Sequence, residues 1–170
     1  MDMNKLTQKS QEAVQQAQAI ALRYGHQEVD GEHLLVALLA QDGGLFPRML
    51  TRMQVDSDVL KSEIEKELTQ QPKVSGPGVE QDKIYVTQRF QKLFLSAQGE
   101  AERLKDEYVS VEHLLLALIS EGDKTPGGRI LKQFNVTRDN FLSVLTQVRG
   151  NQSVTSANPE VAYEALEKYG

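Results

Sequence analysis

Two nearly identical nonapeptides carry the residues of this chain that are best suited to chemistry. EHLLVALLA begins at Glu32 and EHLLLALIS begins at Glu112, so each sets a carboxylate directly before an imidazole, His33 or His113. Adjacent acid and imidazole groups can transfer protons or bind a metal ion. Neither copy is an HExxH pair, however, and no ligand spacing joins them to His26, the third histidine. The pattern therefore favours a helix start, where a carboxylate stabilises the helix dipole or binds a partner, over a metal site.

Other catalytic signatures are missing from the sequence. The chain has no cysteine, no GxSxG motif and no GxxxxGK[ST] motif, and the glycines of SGPGVEQDK lack the Lys-Ser/Thr pair that contacts phosphate and magnesium. These absences leave little material for a nucleophilic triad or a nucleotide site. We expect a chain that is not an enzyme and holds no cofactor of its own.

Composition also limits the class of partner. The 170 residues are 39% hydrophobic and 25% charged with a net charge of -5, and no dense Lys/Arg run could follow a phosphate backbone. The longest apolar run, Leu34 to Ala40, is too short to cross a bilayer, and the start MDMNKLTQ lacks the pattern of a signal peptide. We expect a soluble, cytoplasmic protein without a nucleic-acid or membrane partner.

The chain is an internal duplication. Shifting the sequence by 80 residues pairs positions 7–42 with 87–122, and 14 of those 36 positions are identical, where chance gives about two. Apolar residues in each unit recur at helical spacing, as in Val86, Phe90, Leu93, Ala97 and Ala101. These patterns predict an all-α fold of two tandem four-helix repeats related by pseudo-two-fold symmetry. We place repeat one at 4–69, a linker at 70–84 and repeat two at 85–149, which together form one domain, 1–149.

Residues before the predicted helices could cap them. Thr7 and Thr87 precede the first apolar stripe of each unit, and a hydroxyl there accepts hydrogen bonds from free N–H groups. Helix starts that converge would also make a donor-rich spot suited to binding. The sequence leaves both roles open for these threonines and for Glu32 and Glu112.

A linker and a short tail follow the repeats. GNQSVTSANPE, residues 150–160, breaks the helical pattern before the amphipathic piece VAYEALEKYG. One short helix cannot bury its apolar face alone. We expect residues 151–170 to be poorly ordered or packed only on a neighbouring unit, so that their deletion leaves the thermal midpoint of the repeats nearly unchanged.

Both units resemble a known family. LTQKSQEAV…GHQEVDGEHLLVALLAQDGG and YVTQRF…DEYVSVEHLLLALIS resemble the duplicated Clp N-terminal domain. VRGNQSVTSANPEVAYEALEKYG is similar to the segment that leads into the first ATPase module of the ClpB family of bacterial disaggregases. The resemblance implies that residues 150–170 are a linker and the start of that module, and that ATP and Mg bind beyond Gly170. It also implies a homohexamer for the full-length protein, which threads aggregated polypeptide and works with the DnaK chaperone system. The present chain would be a monomer without ATPase activity.

The resemblance also implies a site. The family associates substrate handling with a threonine that opens the first helix and with acidic residues near the second EHLL-like helix, which fall here on Thr7, Asp106 and Glu112. An apolar groove for exposed segments of unfolded or aggregated polypeptides would use four further residues by position. They are Phe94, Leu95, Tyr108 and Val109. His113 departs from the pattern, because some relatives have an apolar residue there.

A second interpretation draws on the same repeat. The pairs Thr7/Glu32 and Thr87/Glu112 look like the pockets with which ClpC relatives recognise phosphorylated arginine, and Glu32 with Thr87 would form an alternative pocket. The chain would then be an adaptor-docking or phosphoarginine-binding domain of a protease-associated unfoldase. A free-standing hydrolase is the third hypothesis.

Overall fold

The computed structural model describes residues 3–72, 84–150, 154–155, 157–160 and 163. Eight α-helices lie within the first two ranges, four in each repeat, so the predicted all-α fold is confirmed. They are α1 (Gln8–Arg23), α2 (Gly31–Ala40), α3 (Leu45–Arg52), α4 (Ser57–Thr69), α5 (Gln88–Arg103), α6 (Val111–Ser120), α7 (Pro126–Gln133) and α8 (Arg138–Arg149). Short 3₁₀ turns cover Met3–Lys5 and Gly122–Lys124. Most of the predicted linker lies outside the described residues.

The first helix of each repeat begins at its predicted cap. Thr7 Oγ1 accepts a hydrogen bond from the amide of Ser10 at 3.2 Å, and Thr87 Oγ1 accepts one from the amide of Phe90 at 3.0 Å. Each bond satisfies an amide that has no partner inside its helix. The repeat in sequence is therefore also a repeat in local geometry.

The EHLL helices form the centre of the fold. Residues 31–39 of α2 and 111–118 of α6 are all buried, because α1 packs on α2, α5 packs on α6, and α2 contacts α6. A helix that is apolar on every side needs neighbours all round it. Burying each leucine contributes roughly 1.5–3 kcal/mol, so these two helices supply much of the stability.

Short backbone pairings join the two repeats. The strand β1 (Glu28–Val29) runs parallel to β2 (Tyr85–Val86), and a single bridge links Leu6 to Val109. No pattern in the sequence predicted these contacts. They set the start of α5 beside the start of α2, and the start of α1 beside the start of α6. The fold therefore brings together two pairs of helix starts, each pair drawn from both repeats.

Part of the tail packs on this domain. Val154, Pro159, Glu160 and Tyr163 are buried, and the amide of Gln8 donates to the carbonyl of Ala157 at 2.9 Å. The expectation of a poorly packed tail is wrong for these residues. A short segment need not bury its apolar face alone when an existing core receives its side chains.

Candidate functional site

The start of α5 lies beside the start of α2 and forms the first cross-repeat site, here named the arginine site. Its members are Asp30, Glu32, Thr87, Arg89, Glu121 and Gly127. The Arg89 guanidinium donates two hydrogen bonds to Glu32, at 2.8 and 2.6 Å. It donates two more to Glu121, both at 3.0 Å, and lies 3.4 Å from Asp30 Oδ1. One guanidinium thus forms hydrogen bonds with two carboxylates and an ion pair with a third.

Glu32 connects the arginine site to α7. Its Oε2 accepts a hydrogen bond from the backbone N–H of Gly127 at 3.1 Å, and a Cβ atom on Gly127 would stand 2.8 Å from that oxygen. Burial alone would raise the pKa of Glu32, but the hydrogen bonds and charge of Arg89 hold it below its ordinary value. Glu32 is therefore a buried carboxylate that stays charged and ties three helices together.

Arg89 occupies part of the alternative pocket that was predicted at Glu32 and Thr87. Thr87 and Glu32 do come together at this site, and Thr87 Oγ1 donates to Asp30 Oδ1 at 3.1 Å. The position that an external guanidinium would take beside Glu32 is filled by the chain's own Arg89. A modified arginine would have to displace it.

The start of α1 lies beside the start of α6 and forms the second cross-repeat site, here named the tail site. It consists of Thr7, Asp106, Glu112 and Arg149 with the tail residues Val154, Glu160 and Tyr163. Arg149 forms a bidentate pair with Asp106, at 3.0 and 2.7 Å. The amide of Val154 donates to Asp106 Oδ1 at 2.8 Å. Burial would raise the pKa of Asp106, but hydrogen bonds from His113, Arg149 and this amide hold it well below its usual range.

Glu160 brings a third carboxylate into the tail site. Its Oε1 accepts hydrogen bonds from Thr7 Oγ1 at 2.8 Å and from the amide of Val111, in the first turn of α6, at 3.3 Å. Ser110 Oγ donates to Glu112 Oε1, whereas Glu112 Oε2 and Glu160 Oε2 are buried without a hydrogen-bond partner among the described residues. Burial, and then the charge of Glu112, raise the pKa of Glu160.

The two sites differ at matched positions of the repeat. Lys9 stands where the second repeat has Arg89, and it lies 3.6 Å from Glu12. Arg149 of α8 instead supplies the cation of the tail site, with Nη1 3.6 Å from Glu112 Oε2. In the arginine site the cation is Arg89, at the position that matches Lys9 of the first repeat. In the tail site the cation comes from α8, and residues of the tail complete the site.

The repeated Glu-His pair starts a helix in both repeats. His33 Nδ1 accepts a hydrogen bond from the amide of Asp30 at 2.9 Å, and its Nε2 lies 2.8 Å from His26 Nδ1. Burial, and then the neighbouring His26, lower the pKa of His33 to about 4. His113 Nδ1 accepts from the amide of Ser110 at 2.8 Å, so its Nε2 carries the proton and donates to Asp106 at 2.7 Å.

The predicted apolar residues do not share one surface. Phe94 and Val109 are buried in the core, Tyr108 is half-buried, and Leu95 is 67% exposed. As placed, the first two offer almost no surface to a partner. Leu95 is the most exposed large apolar side chain in the part of the chain that the structure describes.

A groove with a volume of about 460 Å³ lies between α5 and α6. Leu93 and Ala117 contribute apolar surface, and Lys92 and Lys124 contribute positive charge. The groove also includes the paired side chains of Arg89 and Glu121 from the arginine site. Leu95 lies about 60° around α5 from Lys92, next to the residues that line the groove. We name this feature the α5–α6 groove.

Sequence reasoning missed Arg89, Arg149, Glu160 and Tyr163. The exchange of Lys9 for Arg89 between the repeats was a visible signal, because arginine can serve several carboxylates at once. No local pattern placed Arg149 or the tail near Asp106, since 43 residues separate that arginine from that aspartate.

The described residues hold no cluster of three or more side chains suited to a metal ion. Within the same ranges, every helix is too short or too polar to span a membrane. The two sites and the α5–α6 groove offer binding chemistry: the sites supply charged hydrogen bonds at helix starts, and the groove supplies apolar surface.

Comparison with known proteins gives a consistent result. A family model for the Clp repeat (R) N-terminal domain matches residues 5–134. The chain is 51% identical over 170 residues to a chaperone protein ClpB of Nitratidesulfovibrio vulgaris, covering all of this chain and 20% of that protein. It is 48% identical over its whole length to a chaperone protein ClpB of Bacillus anthracis, covering 19% of it. The chain thus spans about a fifth of the length of these relatives.

Solved structures share the fold at low identity. The Hsp104 N-terminal domain from Candida albicans matches with a TM-score of 0.77 at 18% identity, over 92% of this chain and 99% of that one. The N-terminal domain of the chaperone ClpD from Arabidopsis thaliana matches with a TM-score of 0.64 at 19% identity, over 85% of this chain and 99% of that one.

Proposed function

The chain belongs to the Clp repeat (R) N-terminal domain family, and we propose that it is the substrate-recognition domain of an ATP-dependent protein disaggregase. It binds exposed apolar segments of unfolded or aggregated polypeptides and delivers them to a threading ring. ATP and Mg binding, hexamer formation, cytoplasmic location and cooperation with the DnaK system are proposals about the longer protein. The present chain is proposed to be a monomer that does not turn over ATP.

The observation that carries the proposal is the exposure of Leu95 on α5, the helix that forms one side of the α5–α6 groove. An exposed leucine next to a cavity with an apolar floor gains favourable burial when an apolar segment covers it. Lys92 and Lys124 add positive charge that suits carboxylates or backbone carbonyls of the bound chain. Such a surface favours broad binding of polypeptide over a single sequence.

The affinity for one segment should be modest. Removing a leucine side chain from water contributes roughly 1.5–3 kcal/mol, and contacts at exposed charges add about 1 kcal/mol or less. A dissociation constant in the micromolar range or weaker corresponds to about 8 kcal/mol or less. Several weak contacts along one aggregate would still give useful capture, because linked sites raise the effective concentration.

Substitution of Leu95 tests the proposal. Leu95→Ser should leave helicity by circular dichroism unchanged and reduce co-sedimentation with a heat-aggregated client protein. Leu22→Ser is the matched control, because Leu22 is 46% exposed on the corresponding helix α1 of the other repeat. Equal capture by the parent and both variants would refute a role for the α5–α6 groove.

Thr7, Asp106 and Glu112 stay proposed client-binding residues of a second surface. Their positions match the family pattern, and all three lie in the tail site. In the structure described here, residues of the tail cover them.

A further inference from the structure

The tail is bound to both repeats through its backbone. The amide of Gln8, at the start of α1, donates to the carbonyl of Ala157 at 2.9 Å. The amide of Glu107, before α6, donates to the carbonyl of Val154 at 2.8 Å, and the amide of Val154 donates to Asp106. These bonds use groups that every polypeptide carries. The tail site therefore accommodates a polypeptide segment, and the chain supplies one itself.

Two side chains anchor the same segment. The Glu160 carboxylate lies at the start of α6, where Thr7 Oγ1 and the amide of Val111 donate to it. Tyr163 is fully buried, with its ring 5.7 Å from the guanidinium carbon of Arg149. Glu160 contacts Thr7, which is a proposed client-binding residue. Tyr163 contacts Arg149, which pairs with the proposed client-binding residue Asp106.

The fit of the tail is incomplete. Glu112 Oε2, Glu160 Oε2 and Tyr163 Oη are buried without hydrogen-bond partners among the described residues. A buried oxygen that makes no hydrogen bond with the chain stabilises the docked state less than one that does, although Arg149 Nη1 lies 3.6 Å from Glu112 Oε2. The charge of Glu112 opposes that of Glu160, which adds to the same effect. The arginine site differs, since Arg89 there meets each carboxylate at 3.4 Å or less.

We propose that the described tail residues, 154–155, 157–160 and 163, are an internal occupant of the tail site, and that a client polypeptide binds there only when this tail leaves. The inference rests on the proposed function, because it concerns how the same domain gives a client access to Thr7, Asp106 and Glu112. A client segment takes over the backbone bonds to Gln8 and Glu107.

Amide hydrogen exchange, measured on the whole chain, tests directly whether a client displaces the tail. The Val154 amide is protected while it donates to Asp106, and it becomes free when the tail leaves. Addition of reduced, carboxymethylated lactalbumin, a permanently unfolded polypeptide, should accelerate exchange of the tail peptide that contains Val154. Binding of this probe with unchanged protection of Val154 would overturn the inference.

A second experiment removes the two anchor side chains. Glu160→Ala combined with Tyr163→Ala should free the tail and tighten binding of the same probe, whereas Thr155→Ala, at an exposed tail position, should not. If the tail is docked about nine-tenths of the time, freeing it lowers the apparent Kd about tenfold. Circular dichroism checks that both variants keep the parent's helicity, and the exchange experiment on the parent needs no variant.

The outcomes separate the two proposals. An unchanged Kd in the folded double variant, with client capture still sensitive to Leu95→Ser, would overturn the internal occupant and leave the proposed function standing. Failure of the parent and every variant to bind the probe would overturn both.

Discussion

Removal of the Arg89 guanidinium should be among the most destabilising single changes in this domain. Arg89→Ala leaves Glu32, whose side chain is 2% exposed, as a buried carboxylate without a counter-charge. Breaking a buried pair from one side costs about 3–5 kcal/mol, because the remaining charge cannot regain water. Arg89 itself is 23% exposed, so water can partly replace it and we expect a loss near the lower bound, about 3 kcal/mol at pH 7.

Urea or thermal unfolding followed by circular dichroism measures this loss. For a domain of this size, each kcal/mol shifts the Tm by about 2–4 °C, so the expected drop is about 6–12 °C. Arg138→Ala is the control: Arg138 pairs with the buried Glu100 but is 41% exposed, and Glu100 keeps Arg103 at 2.5 Å. That change should cost about 1 kcal/mol or less.

Two further measurements test the cause. Glu32→Gln placed in the Arg89→Ala chain should recover part of the stability, because a neutral amide can still accept from Gly127 and needs no counter-ion. The deficit of Arg89→Ala relative to the parent should also narrow as pH falls towards the ordinary Glu value of 4.5, where protonation removes the unpaired charge. A loss no larger than that of Arg138→Ala, or one that does not depend on pH, would refute this account of the arginine site.

The other predictions concern pH and glycine. The pKa of His33 is about 4 in the folded chain and 6.5 when unfolded, so its stabilising contribution is full above pH 6.5 and is lost as pH falls through about 4. The free energy of unfolding should fall by about 3 kcal/mol over that window in the parent and by less in His33→Gln, which keeps a cap acceptor; parallel pH profiles would contradict this. Gly128→Ala should lower the Tm strongly because its Cβ atom would overlap the carbonyl oxygen of Gly122, whereas Gly99→Ala, with nothing nearer than 3.7 Å, should stabilise α5 by about 0.5–1 kcal/mol. Similar unfolding midpoints for these two variants would show that the contact at Gly128 is not rigid.

The helices and their caps could be predicted from the sequence because their signals are local. Thr7 and Thr87 precede apolar residues at helical spacing, and each makes its predicted hydrogen bond to the amide three residues on. Because the unit is duplicated, each helical pattern and each cap occurs twice in the sequence. Family resemblance added Thr7, Asp106 and Glu112, which the structure does bring to one site.

The contacts between the repeats and the full composition of the sites could not be predicted, because they depend on residues that are far apart in the sequence. Strands of two residues show no alternation, so the parallel pairing of Glu28 with Tyr85 left no sequence signal. Arg89 and Glu32 are 57 residues apart, and nothing near either predicts their bond. Phe94 was predicted to line a groove, but it continues the apolar stripe of α5 into the core, while Leu95 points outwards. Adjacent helical positions point in directions about 100° apart, so one residue decides between core and surface.

Divergence of the two copies explains why only one cross-repeat site takes the tail. Both sites begin from the same scaffold, in which a capped helix of one repeat meets the EHLL helix of the other. Arg89 fills the first with bonds to Glu32 of α2 and to Glu121, which follows α6, so that site fixes the repeats to each other and cannot open without loss of stability. In the second, Lys9 lies 3.6 Å from Glu12 of its own helix, and Glu160 of the tail lies at the start of α6 instead. The occupant of the tail site can therefore be exchanged while the arginine site keeps the two repeats together.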